Sequence, residues 1–347
     1  MDLPRFQRTV FLVGPERVEL REVPLAEPGP GELLVKIGAA TTCGTDVKVF
    51  RRGGHPRMLK APTPFGHELA GTVVAVSKEK GRWQIGDSVV VANSAPCDCC
   101  RYCEADRQNL CSDLQYLNGA FAEYILVPRR FAERNTWPLP DGVSFEVAAL
   151  TEPLACVLHG VEACHLREGS DVVVYGAGPI GLLFVAALAS TGHRVTLADP
   201  NPERLRVGKQ LGAEEMREIQ RGGGQAENVV SSARYATGFD VAIDATGVPE
   251  VWSDAIDSVR PGGLVNLFGG CAPGTSVALD THRVHYSEIT LKGVYHHRPK
   301  TVRAALEMLA QGAFDARLLL SAEKPLEELE EALRGMMRKE FLKVVIR

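Results

Sequence analysis

The sequence predicts an α/β chain in two parts: an irregular β-rich domain, then a doubly wound parallel sheet. Three observations carry this. The first 150 or so residues hold short strand-like runs broken by Gly, Pro and charged turns. From about residue 170 strands and helices alternate, as crossovers between parallel strands require. The tail then departs from that alternation, which predicts its return to the first domain and makes the second an insertion.

In the first part GELLVKIGAA, LAGTVVAVS, DSVVVAN and FAEYILVP read as strands. In the second, strands are expected at Asp171–Gly176, Arg194–Asp199, Phe239–Ala245, Gly263–Phe268 and Glu288–Tyr295. Helices are expected at Pro179–Thr191, Pro202–Leu211 and Pro249–Val259. Residues 212–238 have the least regular pattern, and RGGGQ at 221–225 reads as a surface turn. An amphipathic helix at about Pro325–Arg338 and a terminal strand, KVVIR, complete the chain.

With 347 residues, 45% hydrophobic and 24% charged, the composition is that of an ordinary globular protein large enough for two cores. A net charge of −4 with no long basic run gives no footing for nucleic acid or an anionic membrane. Residues 172–189, VVVYGAGPIGLLFVAALA, approach the length of a membrane span. Yet a β-branched run breaks at Gly-x-Gly-Pro and becomes helical, so a buried strand, turn and helix are expected instead. The N-terminus does not read as a signal peptide. Nine cysteines in such a chain point to reduced thiols, a cytoplasmic location and metal binding rather than disulfides.

Gly176-Ala-Gly178-Pro179-Ile180-Gly181 follows a strand and opens a helix. Such glycines permit a tight turn, close backbone approach to a pyrophosphate and tight helix–strand packing. The pyrophosphate meets the N–H groups of the helix start, where Pro179 sacrifices nothing. Asp199 ends the next strand, 18 residues after Gly181. A carboxylate there accepts ribose hydroxyls and repels a 2′-phosphate, which favours NAD. Arg204 could lie against the adenine or cap a helix face, and it keeps NADP open.

Cys97, Cys100, Cys103 and Cys111 form C-x2-C-x2-C-x7-C. Four thiolates so spaced can close a tetrahedral zinc shell with no position left for substrate. Cys99 falls within the cluster but outside the regular spacing. Elsewhere stand Cys43 in TTCGTD, His67 and Glu68 in FGHELAG, and Glu152 in TEPLAC. Singly each has a bland explanation, and neither periodicity nor composition assembles them.

The order of these motifs resembles the medium-chain zinc alcohol dehydrogenase family, and the likeness spans essentially the whole chain. The E-P-L at 152–154 is similar to the polyol (sorbitol) and threonine dehydrogenase branch. The resemblance implies a GroES-like catalytic domain at 1–156 and 290–347, with a structural-zinc lobe at about 94–113, and a Rossmann domain at 157–289. It implies two zinc ions per chain. Cys43 and His67 would bind the catalytic one, and Glu68 and Glu152 would be its acidic partners, the choice of direct ligand staying open. Thr45 would take the substrate's hydroxyl proton, Asp46 would orient a ligand, and Tyr295 and His296 would line the substrate pocket. At position 48, where many relatives carry a relay histidine, this chain has Lys48.

The expected reaction is oxidation of a small secondary alcohol (polyol, sugar alcohol or hydroxy amino acid) by hydride transfer to NAD, in a homotetramer or homodimer. The competing expectation is an inactive or zinc-free dinucleotide-binding relative, such as a quinone or enoyl reductase.

Overall fold

The computed structural model describes residues 3–77, 81–234 and 236–347. Met1 and Asp2 of the expected first domain, and Tyr235 within the irregular segment 212–238, lie outside the described residues. The chain divides into two compact units. One comprises the residues up to Ala155 together with Arg298–Gly312 and Leu319–Arg347, the other Cys156–His297 and Ala313–Leu318.

The first unit is built on a seven-stranded sheet. Thr136–Pro138, Ser88–Val91, Leu69–Val76, Leu33–Thr41, Lys343–Ile346 and Leu320–Lys324 follow one another across it, and Tyr124–Val127 also pairs with Leu33–Thr41. All pairings are antiparallel except that of the last two strands in this order. Leu33–Thr41 (LLVKIGAAT) therefore bonds to three neighbours, which explains why its two ends are buried. Its register with Leu69–Val76 shifts between Ile37 and Ala39. Gly71 lies opposite that irregularity, where a Cβ would stand 2.2 Å from the Lys36 carbonyl oxygen, so no larger residue fits.

The tail joins this sheet. The expected helix begins as a 3-10 turn, Leu326–Glu328, and continues as Leu329–Met337. The wholly buried strand Lys343–Ile346 then pairs with Leu33–Thr41. Aliphatic residues on one face of the sheet close the core with Phe65 and Phe121, whose rings meet edge to face at 5.6 Å.

The second unit holds a six-stranded parallel sheet. Its order is Glu215–Glu218, Arg194–Asp199, Asp171–Tyr175, Phe239–Asp244, Val259–Leu267, Thr290–Gly293. The chain thus winds outward from Asp171–Tyr175 in one direction, then restarts beside it in the other. This is the Rossmann arrangement, whose ligands bind where the order reverses. The second unit runs past residue 289 to His297 because Thr290–Gly293 is the sheet's outer strand.

Three elements were not legible in the pattern. Glu215–Glu218 (EMRE) has almost no apolar signal and is fixed by pairing with Thr196–Asp199. The helix Ala226–Val230 is too short for a period, and Thr281–Tyr286 buries no residue. The membrane-like run resolves into the strand Asp171–Tyr175 and the helix Pro179–Ser190, in which Gly181 through Leu188 are all buried. Among the described residues no helix is long and apolar enough to cross a membrane.

Phe121 is wholly buried at the centre of the first core. Phe121→Ala is expected to destabilise the chain by about 3–5 kcal/mol, read from a chemical denaturation midpoint at unchanged slope.

Candidate active site

The strand Leu33–Thr41 delivers the chain to Cys43, which caps the N-terminus of the helix Gly44–Arg52. The Cys43 sulfur accepts from the Thr45 backbone N–H at 3.2 Å. Asp46 reciprocates, one carboxylate oxygen accepting the Cys43 N–H at 2.9 Å. Its other oxygen lies 3.0 Å from Nδ1 of His67. The other ring nitrogen, Nε2, faces the Cys43 sulfur at 3.3 Å. Asp46 thus fixes both the cysteine's backbone and the histidine's ring.

Glu68 is fully buried and receives Lys343 Nζ on Oε2 at 2.6 Å, along with the Thr41 hydroxyl. Lys343, equally buried, also donates to the Thr42 carbonyl at 2.7 Å. The second oxygen, Oε1, has no hydrogen-bond partner among the described residues. Glu152, in the first turn of the helix Thr151–Ala163, is buried with a ligand atom within 4.8 Å of those of His67 and Glu68. Burial, reinforced by Glu68 and opposed by His67, pushes its carboxyl up to about 7. Burial also raises the Cys43 thiol, with Asp46 adding to it. At His67 burial pulls downward, but Cys43 and Asp46 outweigh it and hold the imidazole well above its ordinary value.

These residues suit zinc. Sulfur, imidazole nitrogen and carboxylate oxygen are its usual donors. Ideal tetrahedral bonds would separate a sulfur and a nitrogen ligand by about 3.5 Å, close to the Cys43–His67 spacing. Three buried carboxyl groups stand against one buried ammonium, and the orphaned Glu68 oxygen lacks a positive partner. A dication answers both deficits.

Thr45 is half-buried in the same helix's first turn, and Lys48, one turn on, is exposed. Tyr295 and His296 lie in the second unit with their rings 5.5 Å apart. His296 holds a left-handed backbone (φ 62), and its carbonyl accepts from His159 Nδ1 at 2.7 Å.

In the lobe, the four sulfurs of Cys97, Cys100, Cys103 and Cys111 cluster with contacts of 3.4 to 3.9 Å. Tetrahedral Zn–S bonds require sulfur–sulfur edges of about 3.8 Å, so the cage is already the right size. Backbone N–H groups pull the Cys100 thiol down to about 5, while burial pushes Cys103 up to about 12. Four thiolates cannot all ionise side by side without a cation between them.

At the glycine turn, Gly176 has φ 99 and Gly178 caps the helix with Pro179 in its first turn. A Cβ on Gly181 would sit 1.7 Å from the Gly176 carbonyl oxygen, while one on Gly178 would meet open space. Gly181 is therefore fixed by packing and Gly178 by access, the cradle a pyrophosphate needs. Ile180 is half-buried beside it. Asp199 accepts from the Ala177 N–H at 2.7 Å and the Asn201 N–H at 2.8 Å, bracing the turn. Half-buried Arg204 lies close enough to feel that carboxylate.

Residues 29–141 match the alcohol dehydrogenase GroES-like domain, and residues 179–311 match the zinc-binding dehydrogenase domain. The chain is 29% identical over 335 residues to an L-threonine 3-dehydrogenase of Chromobacterium violaceum, covering 95% of this chain and 96% of that one. Against a sorbitol dehydrogenase of Bacillus subtilis it is 28% identical over 353 residues, covering 99% and 98%. A structure from Sinorhizobium meliloti, described as a zinc-binding dehydrogenase bound to NADP, superposes with a TM-score of 0.90 at 28% identity, covering 99% of each chain. The chain belongs to the medium-chain zinc-binding dehydrogenase family.

It is thus a dehydrogenase of the alcohol dehydrogenase type, as its motif order led us to expect. Two features of this dehydrogenase escaped the sequence reading. Lys343 is one; a lysine inside the apolar run LKVVI was the available signal. Asp244 is the other. It ends the strand beside Asp171–Tyr175 and is wholly buried. It accepts from the Thr246 and Gly247 backbone N–H groups and from Trp252 Nε1, each at 3.0 Å. This folds the next loop against the glycine turn, where a Cβ on Gly176 would touch Thr246 at 2.7 Å.

Lys343→Met leaves the Glu68 carboxylate buried without its cation, and a loss of about 3–5 kcal/mol in unfolding free energy is expected. Adding Glu68→Gln to it should restore much of that loss in a double-mutant cycle.

Proposed function

We propose that this dehydrogenase oxidises a small secondary alcohol (a polyol, a sugar alcohol or a hydroxy amino acid) by hydride transfer to NAD at a zinc site. The observation that carries the reading is the buried Cys43–His67 pair, 3.3 Å apart, with Glu68 and Glu152 in reach. Relatives named for threonine and sorbitol support the substrate class. When bound, zinc supplies Lewis acidity and the nicotinamide accepts the hydride.

The chain's residues then divide the work. Cys43 and His67 hold the metal. Glu68, through the oxygen that Lys343 and Thr41 leave open, and Glu152 would be its acidic partners. Thr45 accepts the substrate's hydroxyl proton, and the exposure of Lys48 supports an onward path to solvent. Asp46 keeps the His67 ring turned toward the metal. Tyr295 and His296 line the substrate pocket. The first unit is the catalytic domain, with a second, structural zinc on Cys97, Cys100, Cys103 and Cys111.

The second unit binds the dinucleotide through Gly176, Gly178, Pro179, Ile180 and Gly181. Asp199 has a second lone pair on each oxygen for the ribose hydroxyls, and it disfavours a 2′-phosphate. Arg204 stands beside the adenine. The NADP-bound relative makes cofactor choice a direct test. We also propose a homodimer or homotetramer in the cytoplasm. The strand Thr290–Gly293 is the sheet's outer edge, with Tyr286 72% exposed nearby in sequence, and the clustered reduced thiols suit a reducing compartment.

Elemental analysis is expected to find about two zincs per chain, one per donor set. One alone on the four-thiol lobe would favour an inactive relative. Cys43→Ser should lower kcat on a secondary alcohol by at least ~10³-fold while NAD binding by fluorescence persists, because Lewis-acid stabilisation supplies several kcal/mol. An active variant lacking that zinc would sink the assignment.

Asp199→Ala should weaken NAD about tenfold and raise the NADP-to-NAD ratio of kcat/KM, since it removes charge-assisted hydrogen bonds and a repulsion. An unchanged ratio would remove Asp199 from cofactor choice.

A further inference from the structure

The first unit holds a cavity of about 480 Å³ where the hairpin after the helix Gly44–Arg52 meets the four-thiol lobe. Arg57 lines it from the hairpin, and Tyr102, Asn109, Ser112 and Tyr116 line it from the lobe and the chain leaving it. Among the described residues that line it none is acidic. The acid nearest in sequence, Asp113, is held by Arg130 at 2.9 Å. The wall therefore offers a guanidinium, hydroxyls and an amide, with no carboxylate to satisfy the cation from within. Tyr102 strengthens that bias, because its hydroxyl accepts from Arg101 at 2.7 Å and keeps its own O–H proton for another acceptor. Between Asp46 and Glu68 the chain carries five basic residues and no acid, in a protein of net charge −4. An anion is thus attracted locally here and not by the overall field.

The cavity is rigid and lies close to the metal donors. Gly54–His55 pairs with Leu59–Lys60, and His55 Nδ1 accepts the Arg57 N–H at 3.2 Å and the Met58 N–H at 3.1 Å, which fixes the hairpin tip. Asn118 Nδ2 donates to the Met58 carbonyl at 3.1 Å, beside Arg57. The next residue, Gly119, donates its N–H to the Gly66 carbonyl at 2.9 Å, beside His67. Tyr116 precedes Gly119 by three residues, so its backbone lies within about 11 Å of that bond.

We propose that this cavity takes an anionic end of the substrate, with Arg57 deciding specificity, so that the alcohol oxidised is a short polyol chain bearing a terminal carboxylate or phosphate. This rests on the reading of Cys43 and His67 as the site of alcohol oxidation. A guanidinium meets either oxyanion with two parallel N–H donors, and the hydroxyls around it supply further ones. A neutral hydroxymethyl end would exchange water for weaker partners and gain little. The contact is remote from the carbon that is oxidised. It therefore acts alike on the bound substrate and on the transition state, and shows itself in KM.

The test uses the full-length, zinc-loaded protein with NAD and NADP, and compares sorbitol with gluconate and sorbitol 6-phosphate, which share its chain length. At least one anionic probe is expected to show a kcat/KM at least ~10-fold above that of sorbitol, and the one preferred names the anion. Arg57→Met should lower that ratio by at least ~10-fold, through the KM of the anionic probe. Arg57→Lys, which keeps the charge without the fork, should fall between the two. Neutral alcohols oxidised as well as both anionic probes, or a ratio that Arg57→Met leaves unchanged, overturns the inference alone, since the metal site is then seen to work. A protein that oxidises no secondary alcohol, charged or neutral, overturns the proposed function, and this inference with it.

Discussion

The ion pair between Lys343 and Glu68 has no exposed surface, and the first unit depends on it. A lysine and a carboxylate are costly to take out of water, and tolerable only together and hydrogen-bonded. Lys343 arrives on the last strand of the chain, where Val344 exchanges hydrogen bonds with Thr42 and Val345 pairs with Thr41. Glu68 arrives at the start of Leu69–Val76, on the other side of Leu33–Thr41. Neither charge is satisfied until the C-terminal strand has docked. Completing the sheet and completing the candidate active site are therefore one event.

That coupling also sets the electrostatics around Cys43. Lys343 neutralises one oxygen of Glu68 and leaves the other without a partner. Asp46 and Glu152 add further buried carboxyl groups, and His67 is turned by Asp46 so that Nε2 faces the Cys43 sulfur. The result is a buried cluster of sulfur, nitrogen and carboxylate donors, the set that a divalent metal takes. The lobe follows the same rule with less machinery. Its four sulfurs come from one short stretch of chain, so no distant strand has to dock before they converge.

The sequence and the structure agree best where chemistry is local. GAGPIG after a β-branched run could fold in few ways, and its glycines stand where a Cβ would either clash or block access. The C-x2-C-x2-C-x7-C spacing predicted a cage, and the sulfur contacts match one. Legibility fell where pattern was faint. Glu215–Glu218 is a strand only because a neighbour offers its edge, and Thr281–Tyr286 is a helix with no buried face to announce it.

What the sequence by itself determined is the parallel sheet with its glycine turn, the four-thiol set, and, through the order of its motifs, the family. Hydrophobic period and ligand spacing are properties of short stretches, and short stretches keep them whatever the rest of the chain does. Only the tertiary structure decided that buried His67 stands beside Cys43 and also beside Glu68 and Glu152, that Asp46 serves two of these residues, and that Lys343 takes one oxygen of Glu68 and leaves the other. Those residues are separated by up to 300 positions. Their encounter follows from sheet register and from the need to bury each charge beside its opposite, neither of which is written in any local pattern.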